Sequence, residues 1–265
     1  VTYNWGAIEW AAGNIPRLVR HIHIEDGFGP EEADGQLARR VWFRRLILNR
    51  HSLVVLPSQT LVKLATETWR LDPARVIYLP NGVACARFGG PPDPGIISHF
   101  RGAGPVIGTV ATLRREKALG RLIDAFTAIR ATRPCRLVIV GDGPEKVDLE
   151  QHAAKSGVAD DVTFTGRLDQ PEQILGGFDV FAVSSDTEQM PLSILEAMAA
   201  GRAIASTDAG DILEMVAIEN RQYVVPKSTG DLCAAITALL DVPALRTRVG
   251  AANRARAVAV FDEAT

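Results

Sequence analysis

From residue 105 to residue 207 the chain alternates short, almost wholly apolar runs with stretches whose apolar residues recur at helical spacing. This alternation constrains the fold more than any other feature. The runs are VIGTVATL (106–113), RLVIVG (136–141), VTFTG (162–166), DVFAVSS (179–185) and RAIAST (202–207). Strands apolar at successive positions are buried on both faces, as in parallel sheets covered by helices. Between them the spacing predicts helices near 119–130, 145–156, 171–176 and 192–200; in the first, Leu122, Ile123, Phe126 and Ile129 share one face. Strand–helix–strand units of this kind make a parallel sheet with right-handed crossovers, a doubly wound α/β domain. Residues 1–88 repeat the theme more weakly, with strands expected over 17–24, 52–58 and 75–82 and helices near 31–49 and 59–68.

Between the two regions lies GGPPDPGIISHFRGAG (89–104), rich in Gly and Pro and expected to hold neither helix nor ladder. Charge changes at the same place. Residues 1–104 carry 12 Lys/Arg against 9 Asp/Glu, and residues 105–265 carry 17 against 22. The expected organisation is therefore a first, incomplete Rossmann-like domain over 1–88, a linker over 89–104, and a second Rossmann-like domain over 105–265. With 47% hydrophobic residues and a net charge of −2, disorder is excluded and nucleic-acid binding gains no support. No run of about 18 apolar residues could span a membrane. The start, VTYNWGAIEW, lacks the basic-then-apolar pattern of a signal peptide. Cys85, Cys135 and Cys233 are odd in number and in no paired motif, which fits a reducing cytosol. Two such domains put a ligand in the cleft between them, at the carboxyl ends of the strands.

The most informative segment is SSDTEQMPLSILEAMAAG (184–201). A helix is expected to begin near Leu192, so the amides of Met190, Pro191, Leu192 and Ser193 fall at or near its free end, Pro191 itself lacking an N–H. Free amides and the helix dipole suit a phosphate there. Glu196 sits about one turn in, and Glu188 stands before the helix. Two carboxylates flanking a phosphate cradle suit a ligand with hydroxyls on both sides of its phosphates, such as a nucleotide-sugar. From spacing alone, a solvated Glu188 and a Glu196 that merely favours a first helical turn serve equally well.

The order S-x-x-E-Q-M-P-L-S-x-L-E-A-M-A-A-G resembles the donor-binding motif of family 4 glycosyltransferases, retaining enzymes of the GT-B fold. Segments 106–126, 136–150, 162–170 and 208–216 agree in order and spacing, as do HIEDGFGPEE (23–32), VLPSQ (55–59) and YLPNGV (78–83). The resemblance implies two Rossmann-like domains facing a cleft and a hexosyl transfer from a nucleotide-diphosphate sugar to a glycan or lipid-linked acceptor. It implies that Glu188 contacts donor-sugar hydroxyls, that Glu196 binds the ribose, and that the backbone around Arg167 and Leu168 meets the nucleobase. Lys117 matches the lysine of a diphosphate-binding basic pair. The arginine of that pair falls on Thr112, a departure that Arg114 or Arg115 would have to make good. Asp26 falls where the family often has a histidine near the reacting sugar. It is the residue expected to position the acceptor or share its proton, since no enzymatic nucleophile is assigned.

Lys117, a second cation and the helix end would stabilise a departing diphosphate, so neither a metal nor another cofactor is expected. The DTE of 186–188 only superficially resembles a metal-binding Asp-x-Asp. GDGP (141–144) has two glycines of a dinucleotide fingerprint and no acidic residue closing the next strand, which disfavours NAD. His23 is read as a core histidine. The basic segment 38–51 is read as a helix with its apolar stripe in the core, in preference to one lying on an anionic membrane. The resemblance further implies a bacterial-type enzyme of polysaccharide biosynthesis, cytoplasmic or peripheral to the inner face of the membrane. It implies too that the opening strands of the first domain and a closing helix lie beyond this sequence, so that activity of this exact chain is an open matter. A non-catalytic nucleotide-binding fragment and a GT-B sugar-nucleotide epimerase are the alternatives.

Overall fold

A computed structural model of the chain describes residues 1–14, 18–28, 32, 35–98, 100, 102 and 104–264. They form two compact units, Val1–Asn81 with Thr187–Met190, and Gly82–Asp186 with Pro191 onward.

The first unit runs β1 (Thr2–Tyr3), α1 (Ile8–Gly13), β2 (His21–Ile24), α2 (Ala38–His51), β3 (Ser52–Leu56), α3 (Gln59–Glu67) and β4 (Val76–Tyr78). Its strands are parallel and lie in chain order. Crossovers that all step the same way, each right-handed, put their helices on one face. The core agrees: Ile8 and Ala11 of α1, Ile47 and Leu48 of α2, and Leu61 and Ala65 of α3 pack with Val54 and Leu56. On the other face the register aligns Tyr3, Ile24, Val55 and Ile77 in one row and Ile22 with Leu53 in the next. Tyr3, Ile22, Leu53 and Ile77 are exposed there. Of the expected strand 17–24, the ladder begins at His21, and Arg17 lies outside the described residues. Of the expected helix 31–49, α2 begins at Ala38, and Glu31 lies outside the described residues.

Helix α2 corrects one expectation. Its buried side holds Arg40 and Arg44 beside Ile47 and Leu48, while Trp42 is 62% exposed and Leu46 looks outward. The apolar stripe is thus only partly in the core. The reason is electrostatic, because Glu25 and Glu32 are buried and need cations. The Arg44 guanidinium lies 2.6 Å from Glu25 and 3.2 Å from Glu32, and Arg40 lies 3.0 Å from Glu32. The rings of Trp5, Phe28 and Trp69 surround Arg44 at 5.0, 5.4 and 4.9 Å. His23 is fully buried, as expected of a core residue, but among polar groups: Thr2 Oγ1 is 2.8 Å from Nδ1 and Glu25 Oε2 is 3.3 Å from Nε2.

The second unit contains α4 (Pro94–Ser98), β5 (Val106–Val110), α5 (Leu119–Arg130), β6 (Arg136–Val140), α6 (Lys146–Lys155), β7 (Val162–Gly166), α7 (Glu172–Leu175), β8 (Val180–Val183), α8 (Leu192–Ala199), β9 (Ala203–Thr207), α9 (Ile212–Met215), β10 (Val224–Val225), α10 (Thr229–Asp241) and α11 (Pro243–Val260). Its six parallel strands are ordered β7-β6-β5-β8-β9-β10. Ile107, Leu137, Ile139 and Val180 share one core with α5 and α10. The alternate residues Val138, Val140 and Phe181 are equally buried and face the other way. Burial on both sides is why these strands read as continuous apolar runs.

The compact units divide at Asn81/Gly82, and not at residue 88. The segment expected to hold no helix contains α4. Proline is tolerated in a first helical turn, and Asp93 caps this one, its Oδ1 accepting from the amides of Gly95 at 2.7 Å and Ile96 at 3.2 Å. Phe88, Ile97 and Phe100 are buried, so residues 82–104 fold as part of the second unit; His99, Arg101 and Ala103 lie outside the described residues.

Candidate functional site

In the second sheet the chain steps outward from β5 through β6 to β7, then returns to the other side of β5 with β8. The crevice beyond the carboxyl ends of β5 and β8 is therefore a topological switch point, where open α/β sheets bind ligands. Two loops meet there. After β5, residues Arg115–Lys117 make a single 3₁₀ turn, and Ala118, at φ 45°, starts α5. After β8 the chain passes Ser184, Ser185 and Asp186 toward α8. Ser184 Oγ donates to the Lys117 carbonyl at 2.8 Å, and the Asp186 amide donates to the Glu116 carbonyl at 2.8 Å. Arg121, on the first turn of α5, donates to the Ser184 carbonyl at 2.6 Å and pairs with Asp186 at 2.7 Å.

The loop after β6 supports this pair from the far side. The Leu113 amide bonds the Asp142 carbonyl at 3.0 Å, and the Glu145 amide bonds the Leu113 carbonyl at 3.1 Å. Gly141 has φ 139°, and a Cβ there would lie 1.8 Å from the Ala111 carbonyl oxygen. A Cβ on Gly143 would lie 2.5 Å from that of Leu113. The glycines of GDGP thus allow two loops to touch.

Helix α8 begins at Leu192, as expected. Its cap is Pro191, which contributes no side-chain hydrogen bond, so the first turn's amides have no cap from that residue. Glu196 is half-buried one turn in. Burial pushes its carboxyl up to about 7, the neighbouring Glu172 adding to the rise and Arg87 opposing it. Arg87 itself bonds Glu172 at 2.7 Å.

Lys117, Arg114, Arg167, Leu168, Pro191, Leu192, Ser193 and Glu196 all lie in the second unit, on loops following strands or on α8. Arg114 is exposed and precedes the 3₁₀ turn. Arg167 is exposed after β7, 3.3 Å from Asp169. Glu188 and Met190, expected with these residues, instead belong to the first unit. There the Met190 carbonyl accepts from Asn81 Nδ2 at 3.0 Å, and Gln189 Oε1 accepts from Ser58 Oγ at 3.3 Å. Ser58 and Asn81 follow β3 and β4, so the 187–190 segment joins the carboxyl edge of the first sheet. Asp26 follows β2 on the same edge, its carboxylate held by the Tyr3 hydroxyl and by Asn4 Nδ2 at 2.7 Å.

Sequence reasoning missed Arg121, Arg87, Glu172, Tyr3 and Asn4. Arg121 carries a signal of a kind, lying four residues past Lys117 in sequence; the others become visible only through their partners. Among the described residues, no group of three or more His, Cys, Asp or Glu could hold a metal ion. No helix among them is long and apolar enough to cross a membrane.

Residues 104–242 match the profile of the family described as Glycosyl transferases group 1. The chain is 30% identical to a glycogen synthase of Mycobacterium tuberculosis over 253 residues, 92% of this chain and 59% of that protein. It is 31% identical to a 2-deoxystreptamine glucosyltransferase of Streptomyces kanamyceticus over 145 residues, 53% of this chain and 38% of the other. It therefore spans well under two thirds of either relative. Among solved structures, HepE of Anabaena in complex with UDP and glucose superposes with a TM-score of 0.85 at 21% identity, covering 98% of this chain and 73% of that one. That likeness establishes the GT-B fold.

Proposed function

The chain belongs to the Glycosyl transferases group 1 family, and from that membership we propose that it moves a hexosyl group from a nucleotide-diphosphate sugar to a glycan or lipid-linked acceptor, with retention of configuration. The observation that carries this reading is the switch-point crevice. The diphosphate, in this reading, sits between Lys117, on the loop after β5, and α8 with its proline cap. In this reading Lys117, Arg114 and the α8 amides take up the charge that grows on the departing diphosphate, without a bound metal. Glu196 accepts from the ribose hydroxyls, the backbone at Arg167 and Leu168 meets the base, and Glu188 contacts the donor sugar. Asp26 helps to orient the acceptor. A structure of a relative holding UDP and glucose supports a nucleotide-sugar donor. A lipid-linked acceptor would bring the protein to the cytoplasmic face of a membrane, where Trp42 and Leu46, set among Arg39, Arg45 and Arg50, offer an exposed amphipathic face.

The test is a pair of variants. Glu196→Ala should weaken nucleotide-sugar binding at least tenfold, about 1.4 kcal/mol, as read by calorimetry. Glu188→Ala should abolish donor turnover with binding retained. Unchanged binding and turnover in both would overturn the reading, and binding without turnover in the unmodified chain would mark it as a donor-binding portion only.

A further inference from the structure

The carboxyl edge of the first sheet carries a second polar arrangement that the donor crevice does not use. β1 ends at Tyr3, and Asn4 follows at φ 54° and ψ −177°. That backbone region is nearly reserved for glycine, and non-glycine residues held in it cluster at ligand sites. Asn4 is held there by three bonds. Its amide donates to the Ile24 carbonyl at 2.8 Å, its Nδ2 donates to Asp26 Oδ1 at 2.7 Å, and its Oδ1 accepts from the Asp26 amide at 2.9 Å. The other Asp26 oxygen accepts from the Tyr3 hydroxyl.

The consequence for Tyr3 is directional. Its proton is committed to Asp26, so the lone pairs of its phenol oxygen are left to accept from something else. The hydrogen bond to Asp26, then burial, then the Asp26 charge push the phenol up to about 12, which keeps the proton in place at any working pH. Tyr3 as a residue is 51% exposed, at the end of a row it shares with Ile24, Val55 and Ile77. An exposed aromatic face beside a fixed hydroxyl acceptor matches a pyranose, which has an apolar C–H face and hydroxyls around its rim.

We propose that Tyr3 is the group that receives an acceptor-sugar hydroxyl, with Asp26 and Asn4 as the positioning residues that aim it. This rests on the glycosyl-transfer reading above and deepens it, because it has Asp26, whose two carboxylate oxygens hold Tyr3 and Asn4, act through Tyr3. No proton leaves the site in this binding step.

The experiment uses the full chain with ¹³C-labelled tyrosine. The sequence has three tyrosines, and the Tyr3 signal is the one missing from Tyr3→Phe. Methyl α-D-glucopyranoside and methyl α-D-mannopyranoside are titrated in, with glycerol as the ring-less control. A saturable shift of the Tyr3 signal with at least one pyranoside, in the millimolar range, and none with glycerol is expected. Asp26→Asn and Asn4→Gly should each weaken it about tenfold while circular dichroism shows an intact fold, and Asp26→Asn should let Tyr3 ionise at lower pH. No saturable shift, or an equal shift in all variants, overturns the proposal. A parallel titration with UDP and GDP reports separately on the donor site. Loss of nucleotide binding with the Tyr3 response intact would count against the glycosyl-transfer reading alone.

Discussion

Glu196 carries two loads that pull in opposite directions. Its place one turn inside α8 half-buries the carboxyl, which raises it to about 7, yet the role proposed for it needs the ionised form, because a carboxylate can accept from both ribose hydroxyls. The folded value lies above the unfolded 4.5, so the folded state keeps a proton that the unfolded chain has released. This group's contribution to stability is therefore present below about pH 4.5 and lost as the pH rises through about 7. Nucleotide affinity should run the other way and strengthen between pH 6 and 8. Calorimetric titration with UDP or GDP across that range should show the rise in the unmodified chain and lose most of it in Glu196→Gln. Equal pH dependence in the two would show that Glu196 does not meet the nucleotide. The spacing of Glu188 and Glu196 was readable from residue order, but the partners of each were not. Glu172 and Arg87 lie 24 and 109 positions from Glu196 in sequence, and no local pattern links them to it.

Among the elements, α2 shows most plainly what a residue pattern leaves undecided. Its composition suggested an apolar stripe, and the fold turned two arginines inward because the segment before it buries Glu25 and Glu32. Burial pushes the Glu32 carboxyl up, but hydrogen bonds from Arg44 and Arg40 outweigh this and hold it below the usual range. The stability it contributes is thus present at neutral pH and lost as the pH falls through its folded value. Arg44→Met would leave Glu25 without its cation and Glu32 with only Arg40, at a cost of about 3–5 kcal/mol. Urea denaturation should register that loss, whereas Arg39→Met, on the exposed side, should stay within about 0.5 kcal/mol. A cost for Arg44→Met as small as that for Arg39→Met would mean the network is dispensable. Some other elements were legible to within a residue or two. The helix expected over 119–130 is α5, and the strand expected over 162–166 is β7. Two of those that went unread have clear reasons. β10 spans two residues, too few for a period, and α11 buries Val249, Gly250, Asn253 and Ala257, mostly small or polar, so no apolar stripe marks it.

Across the whole molecule the division into two units makes a thermodynamic prediction. A nucleotide that binds the folded second unit and not its unfolded chain should stabilise it by about 2.7 kcal/mol at a hundredfold excess over Kd. Scanning calorimetry with and without UDP or GDP should show an upward-shifted transition. A scan left unmoved by either nucleotide at millimolar concentration would count against a donor site in the crevice. What the residue order determined by itself was the parallel α/β character, the helix start at Leu192, and the family to which the motifs point. These follow from periodicity and from signals within a few residues of one another, which survive without knowledge of the fold. What only the tertiary structure decided was which unit each loop joins. Thr187–Met190 follows a strand of the second sheet yet packs with the first, because Ser58 and Asn81, 131 and 109 positions away, supply its hydrogen-bond donors. The pairing of Tyr3 with Asp26 was settled the same way, by two parallel strands that set the ends of β1 and β2 side by side. Long-range hydrogen bonds depend on where the chain returns in space, and a reading along the chain does not contain that return.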